Sequence, residues 1–122
     1  MNNNYKILVI DDSQTMYKIL VKNLALNDIT IVDYAPDGES GIKIAKVKNY
    51  DLITIDIDMP GIDGFKTTEE ILKLKPNQKI LFISSKYNEI NLAKAEAMGI
   101  KHFLPKPFSP EILTSEINSI LV

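Results

Sequence analysis

Cysteine and arginine are both absent from this 122-residue sequence, and histidine occurs once, at His102. Without cysteine there are no disulfides and no thiolate metal sites, and a lone histidine builds neither a His-rich zinc site nor a His-based triad. Without arginine the bidentate guanidinium fork is missing. Any phosphate must then be met by lysine ammonium, hydroxyls, backbone N–H groups or a metal ion. Long apolar runs are also lacking: Ile7 to Ile10 and Ile80 to Ile83 are far too short to span a bilayer. The Met-Asn-Asn-Asn start has no basic stretch followed by an apolar one, so no export signal or membrane insertion is read and a cytoplasmic location is expected. The lysines are scattered and the formal charge is −2. Phosphate-backbone binding needs a concentrated basic face, so direct nucleic-acid binding is not expected.

What is present fits one compact domain, residues 1–122, with 45% apolar and 25% charged residues. Short β-branched apolar runs alternate with segments of helical period five times over. Strands are expected at Tyr5–Ile10, Thr30–Tyr34, Asp51–Ile55, Lys79–Ile83 and Lys101–Leu104. Between them Met16, Ile19, Leu20 and Leu24 share a helix face, as do Ile42, Ala45 and Val47, then Phe65, Thr68, Ile71 and Leu72, then Ile90, Ala93 and Ala97. Gly99 sits where a left-handed cap would end the fourth helix, and Ser109-Pro110-Glu111 opens the fifth, which carries Ile112, Leu113, Ile117 and Ile120. The pattern predicts an α/β fold: a flavodoxin-like, doubly wound, five-stranded parallel sheet of order 2-1-3-4-5 with five helices on both faces.

The polar residues gather where the apolar strands stop. The first strand runs into Asp11-Asp12, the third into Asp56, the fourth into Ser84-Ser85, and the fifth through Pro105 into Lys106-Pro107. In a parallel sheet these points lie on one edge, the carboxyl ends of the strands, where such folds place their ligands. Singly, each is an ordinary turn or cap residue. Together they converge three acids, a hydroxyl and a lysine. Two carboxylates about 4 Å apart repel by about 4 kcal/mol at an effective dielectric near 20, so the cluster calls for a cation. All-oxygen ligands select Mg2+ or a similar ion, which keeps several waters and holds a phosphoryl oxygen. Lys106 is the second cation, able to reach Asp56 at rest and a phosphoryl oxygen afterwards, and Ser84 would donate a hydrogen bond to another.

Over essentially the whole chain these residues resemble the receiver domains of bacterial two-component response regulators. The matching motifs are Ile-Leu-Val-Ile-Asp11-Asp12-Ser13, Asp51-Leu-Ile-Thr-Ile-Asp56-Ile-Asp-Met-Pro60-Gly61-Ile-Asp-Gly64, Ile83-Ser84-Ser85 and Pro105-Lys106-Pro107-Phe108. The resemblance implies a phosphorylation-dependent switch of the single-domain chemotaxis type. Asp56 would be the phosphoacceptor, taking its phosphoryl group from the phosphohistidine of a sensor histidine kinase. Asp11 or Asp12, Asp56 and the backbone carbonyl of Asp58 would hold Mg2+. Ser84 would be the hydroxyl switch, Lys106 the phosphoryl contact, and the Lys106–Pro107 bond cis. The domain would also hydrolyse its own phosphoryl group without being a conventional enzyme.

Phe103 stands where the family often has tyrosine, so inward packing behind Ser84 survives while a hydroxyl bond is lost. A downstream protein target is expected on the fourth helix, fifth strand and fifth helix, with Ala93, Ala97, Phe103 and Ile112 among its candidates, in a monomer or a phosphorylation-dependent dimer. Asp58 and Lys86 lie two residues after Asp56 and Ser84, and an ion pair between them across the mouth of the site would prolong the phosphoryl lifetime.

Four other readings compete. Asp56-Ile57-Asp58 matches the Asp-x-Asp core of haloacid-dehalogenase-like phosphohydrolases, but the acidic pair here precedes the nucleophile strand and no cap domain fits. A flavodoxin needs small and hydroxylated residues after the first strand, where Asp11-Asp12 would repel the cofactor phosphate. An inactive docking receiver would not fill every acceptor-site position. The chain could also be the receiver half of a larger transcriptional regulator.

Overall fold

The computed structural model describes residues 5–122. Five strands alternate with five helices: β1 Lys6–Ile10, α1 Gln14–Ala25, β2 Ile31–Ala35, α2 Gly38–Val47, β3 Leu52–Ile55, α3 Gly64–Leu74, β4 Ile80–Ser84, α4 Glu89–Ala97, β5 Phe103–Pro105 and α5 Pro110–Leu121. The sheet is parallel, in the order β2-β1-β3-β4-β5, as the pattern predicts. No described helix is long and apolar enough to cross a membrane.

The three central strands are covered on both faces, which is why they read as unbroken apolar runs. Leu8, Ile10, Ile53, Ile55, Ile80 and Phe82 enter one core with α2, α3 and α4 residues. Ile7, Val9, Leu52, Leu81, Ile83 and Leu104 enter the other, with Leu20 and Leu24 of α1 and Leu113, Ile117 and Ile120 of α5. Alternation along the strands assigns each residue to a face. Ser13, Asp37, Asp63, Asn88 and Ser109 cap the five helices by accepting the N–H three residues on.

Sequence and structure differ in detail at the edges. β2 is shifted one residue, ending at Ala35, and β4 includes Ser84, because pairing with β1 and β5 continues that far. β5 is shorter, without Lys101 and His102, and ends on Pro105, which an edge position tolerates. In α4 the expected stripe is wrong: Ala95 is buried, while Ala93 and Ala97 are exposed and Ile90 is 70% exposed. Alanine stands at 93, 95 and 97, so helical spacing alone does not choose a face, and packing against Ile100 and Phe103 does. Val47 and Ile19, also assigned inward, are exposed as well.

Gly64 fixes how closely α3 approaches β3. A Cβ there would stand 2.3 Å from the Asp56 carbonyl oxygen and 2.7 Å from the Ile57 Cα, both backbone atoms that cannot yield. The Gly64 N–H donates to the Ile57 carbonyl at 2.8 Å, pinning this approach beside Asp56. Gly99, at φ +78°, ends α4 as expected and has open space around it. Gly64→Ala is therefore expected to destabilise the fold by about 1–3 kcal/mol through overpacking, against about 1 kcal/mol for the purely conformational Gly99→Ala. Urea denaturation at 25 °C measures both.

Candidate functional site

All strand ends that carry polar residues do meet on one edge. Asp11, Asp12 and Asp56 each place a carboxylate oxygen within 4.8 Å of the others. Their environments differ. Asp11 and Asp56 are buried, at 2% and 7% exposure, whereas Asp12 opens to solvent. The Asp56 N–H donates to the Ile10 carbonyl and the Asp11 N–H to Ala35, so the ladder continues one residue past the strands and fixes both backbones.

Lys106 is the nearest cation. Its Nζ lies 2.8 Å from Asp11 Oδ2 and 3.5 Å from Asp56 Oδ2, and it is mostly buried. It therefore reaches Asp56 at rest, as expected, but binds Asp11 more tightly. Asp11 Oδ1 also accepts the Ser13 N–H at 2.9 Å. Both Asp11 oxygens are thus engaged by protein, whereas Asp56 Oδ2 has only the longer contact with Lys106 and Asp12 is exposed to solvent. The Lys106 N–H donates to the Ser84 carbonyl at 3.0 Å, so the ammonium and the hydroxyl are set by the same stretch of β4–β5 pairing. The Lys106–Pro107 bond is cis.

Burial raises the Asp56 pKa above its ordinary value; Lys106 opposes this, Asp11 and Asp12 reinforce it, and the Asp58 N–H lowers it. Burial and the neighbouring carboxylates thus disfavour the ionised form of Asp56. The donor set is oxygen only, without nitrogen or sulfur, which fits Mg2+ and excludes soft-metal chemistry at this cluster.

Ser84 is completely buried, and its Oγ accepts the Lys86 N–H at 3.0 Å. Phe103 is half-buried behind β4, 5.8 Å from the Phe82 ring and 5.2 Å, edge-on, from Tyr87. Phe82 in turn meets Phe65 at 5.3 Å. Tyr87, three residues past Ser84, was not singled out by sequence; an aromatic in a strand-to-helix loop carries no pattern that distinguishes it.

The expected Asp58–Lys86 ion pair is not formed. Both side chains are exposed, and no ion pair within 4.0 Å joins them among the described residues. The Lys86 backbone is turned by Ser84 Oγ and by Asn91 Nδ2, which donates to the Lys86 carbonyl. Two solvated side chains gain too little from pairing to hold one geometry.

The model of the response regulator receiver domain matches residues 7–118. The chain is 34% identical to chemotaxis protein CheY of Treponema pallidum over 119 residues, covering 96% of this chain and 83% of that protein. It is 30% identical to the transcriptional regulatory protein PhoP of Bacillus subtilis, covering 97% of this chain but 49% of PhoP. Thus it spans most of the chemotaxis relative and about half of the transcriptional regulator. Among solved structures, the complex of CheX, CheY, beryllofluoride and magnesium from Borrelia burgdorferi superposes with a TM-score of 0.91 at 28% identity, covering 97% of this chain and 90% of that one.

The raised Asp56 pKa sets a stability prediction. A carboxyl whose folded pKa is raised costs stability when ionised; the cost is full above the folded pKa, declines as pH falls below it and is gone below the unfolded pKa. At pH 7 without metal, Asp56→Asn should raise Tm by about 2–5 °C. The advantage should close toward pH 4 and shrink in Mg2+, which stabilises the wild type by binding. Thermal melts in chelator and in Mg2+ test this.

Proposed function

The chain belongs to the response regulator receiver domain family, and from that premise we propose that its switch is driven by phosphorylation of Asp56 by a sensor histidine kinase. As a receiver it is a signalling domain, not a conventional enzyme, which sets aside the phosphohydrolase reading. The observation that carries the proposal is the Lys106 ammonium lying against both Asp11 and Asp56 in a cluster of three carboxylates at the carboxyl edge of the sheet.

Asp56 Oδ attacks the phosphorus of a phosphohistidine; the new P–O bond forms as the P–N bond breaks, and the imidazole leaves. Lys106 moves from the resting carboxylates to a phosphoryl oxygen and offsets charge that develops there. Asp12, Asp56 and the backbone carbonyl of Asp58 would hold Mg2+, with Asp11 beside them and shared between Lys106 and Ser13. When bound, the cation supplies charge neutralisation for the phosphoryl oxygens. Ser84 is already in place and buried; its O–H turns to the phosphoryl group, giving up the Lys86 N–H it accepts at rest. Phe103 then packs toward the space Ser84 leaves, without any hydroxyl bond of its own. Hydrolysis of the acyl phosphate within the same site ends the signal.

The chain acts in the cytoplasm as one receiver domain, a monomer or a phosphorylation-dependent dimer. Its downstream protein target docks on α4, β5 and α5. Ala93, Ala97 and Ile112 are exposed there and Phe103 is half-exposed, the condition such docking needs. Intact-protein mass spectrometry after acetyl phosphate treatment tests the chemistry: one phosphoryl adduct in Mg2+, and none in chelator or in Asp56→Ala. Asp58 and Lys86 flank the approach of the hydrolytic water and tune phosphoryl lifetime as separate charges. The Asp58→Asn and Lys86→Ala effects on lifetime should therefore multiply in the double variant, with no coupling beyond error. Strong coupling would restore the ion pair; unchanged lifetimes in both singles would remove the tuning role.

A further inference from the structure

Two buried side-chain oxygens among the described residues have no hydrogen-bond partner, Thr68 Oγ1 in α3 and Tyr34 Oη. Tyr34 is the one beside the acidic cluster. It pairs with Val9 across β1–β2, one residue before Ala35, whose carbonyl accepts the Asp11 N–H at 3.1 Å. Val9 faces the α1–α5 core, and Tyr34 packs in that same core. Asp11, two residues beyond Val9, is in step with it. Tyr17, in the first turn of α1, stacks on Tyr34 with ring centroids 4.4 Å apart and planes 22° from parallel. The ring is therefore pinned between α1 and the sheet.

Burial first, then the charges of Asp11 and Asp12, push the Tyr34 pKa up, so the phenol stays neutral and lies within the field of both carboxylates. A buried hydroxyl left unpaired carries a desolvation cost that phenylalanine in the same place would avoid. A hydrated cation removes that cost. Mg2+ keeps several of its waters, and groups just outside its direct ligands orient what it binds.

We propose that Tyr34 is a positioning residue of the cation site: its buried hydroxyl accepts a hydrogen bond from a water that the divalent cation carries into the Asp11–Asp12–Asp56 cluster, and Tyr17 holds the ring in place for it. This inference rests on the cation-site reading given above. It adds a residue whose type is set by the cation's hydration rather than by core packing.

Isothermal titration of the chain with MgCl2, without any phosphoryl donor, tests it. Tyr34→Phe should weaken Mg2+ binding by about tenfold or more, while the metal-free Tm is unchanged or raised. Equal affinity overturns the inference, and so does a lower metal-free Tm, which marks a hydroxyl used for packing alone. A wild type that binds no Mg2+ overturns the cation-site reading itself, a different result. NMR of ring-labelled tyrosines in the wild type gives an answer independent of the variant. Mg2+ should shift Tyr34 and Tyr17 and leave Tyr5 and Tyr50, at the other end of the sheet, in place. An unmoved Tyr34 signal contradicts the proposal.

Discussion

Three carboxylates with an oxygen each within 4.8 Å of the others, only partly offset at rest by one ammonium, are the constraint on which the rest of this molecule depends. Each carboxylate sits at the end of a strand or just past it, so the sheet cannot relax the crowding without giving up ladder hydrogen bonds. Lys106 relieves part of the repulsion, and burial keeps what remains large. The crowded carboxylates therefore favour a further positive charge beside them.

The same lysine links the chemistry to the response. Its side chain touches Asp11 and Asp56, and its backbone N–H bonds the carbonyl of Ser84. Any displacement of the ammonium would therefore act on the strand that carries the hydroxyl. Beside it a row of aromatic rings, Tyr87, Phe103, Phe82 and Phe65, links the β4–α4 loop through β5 and β4 to α3. Helix α4 lies over this row with Ala95 as its one buried residue. A helix held by so little apolar burial sits at the low end of local stability.

The layered fold was legible because central parallel strands leave an unbroken apolar signature and helix caps are set by local chemistry. The acidic cluster was legible for a related reason: the strand ends declare which residues share an edge. Three things were hidden. The buried face of α4 depended on a choice among identical alanines. The different settings of Asp11 and Asp12 depended on Lys106, ninety-five residues away from Asp11. Tyr34 read as one more aromatic in an edge strand, and only its orphaned hydroxyl distinguishes it. The absent Asp58–Lys86 pair shows the opposite error, since proximity inferred from spacing ignored how readily exposed charges prefer water.

The most direct measurement of the central claim is chemical mapping of the acceptor. Reduction of the phosphorylated protein with borohydride converts an aspartyl phosphate to homoserine, and peptide mass spectrometry then locates it. The account predicts homoserine at position 56 alone. Homoserine at position 11, 12 or 58, or an unaltered Asp56 in protein that has taken up phosphate, would contradict it.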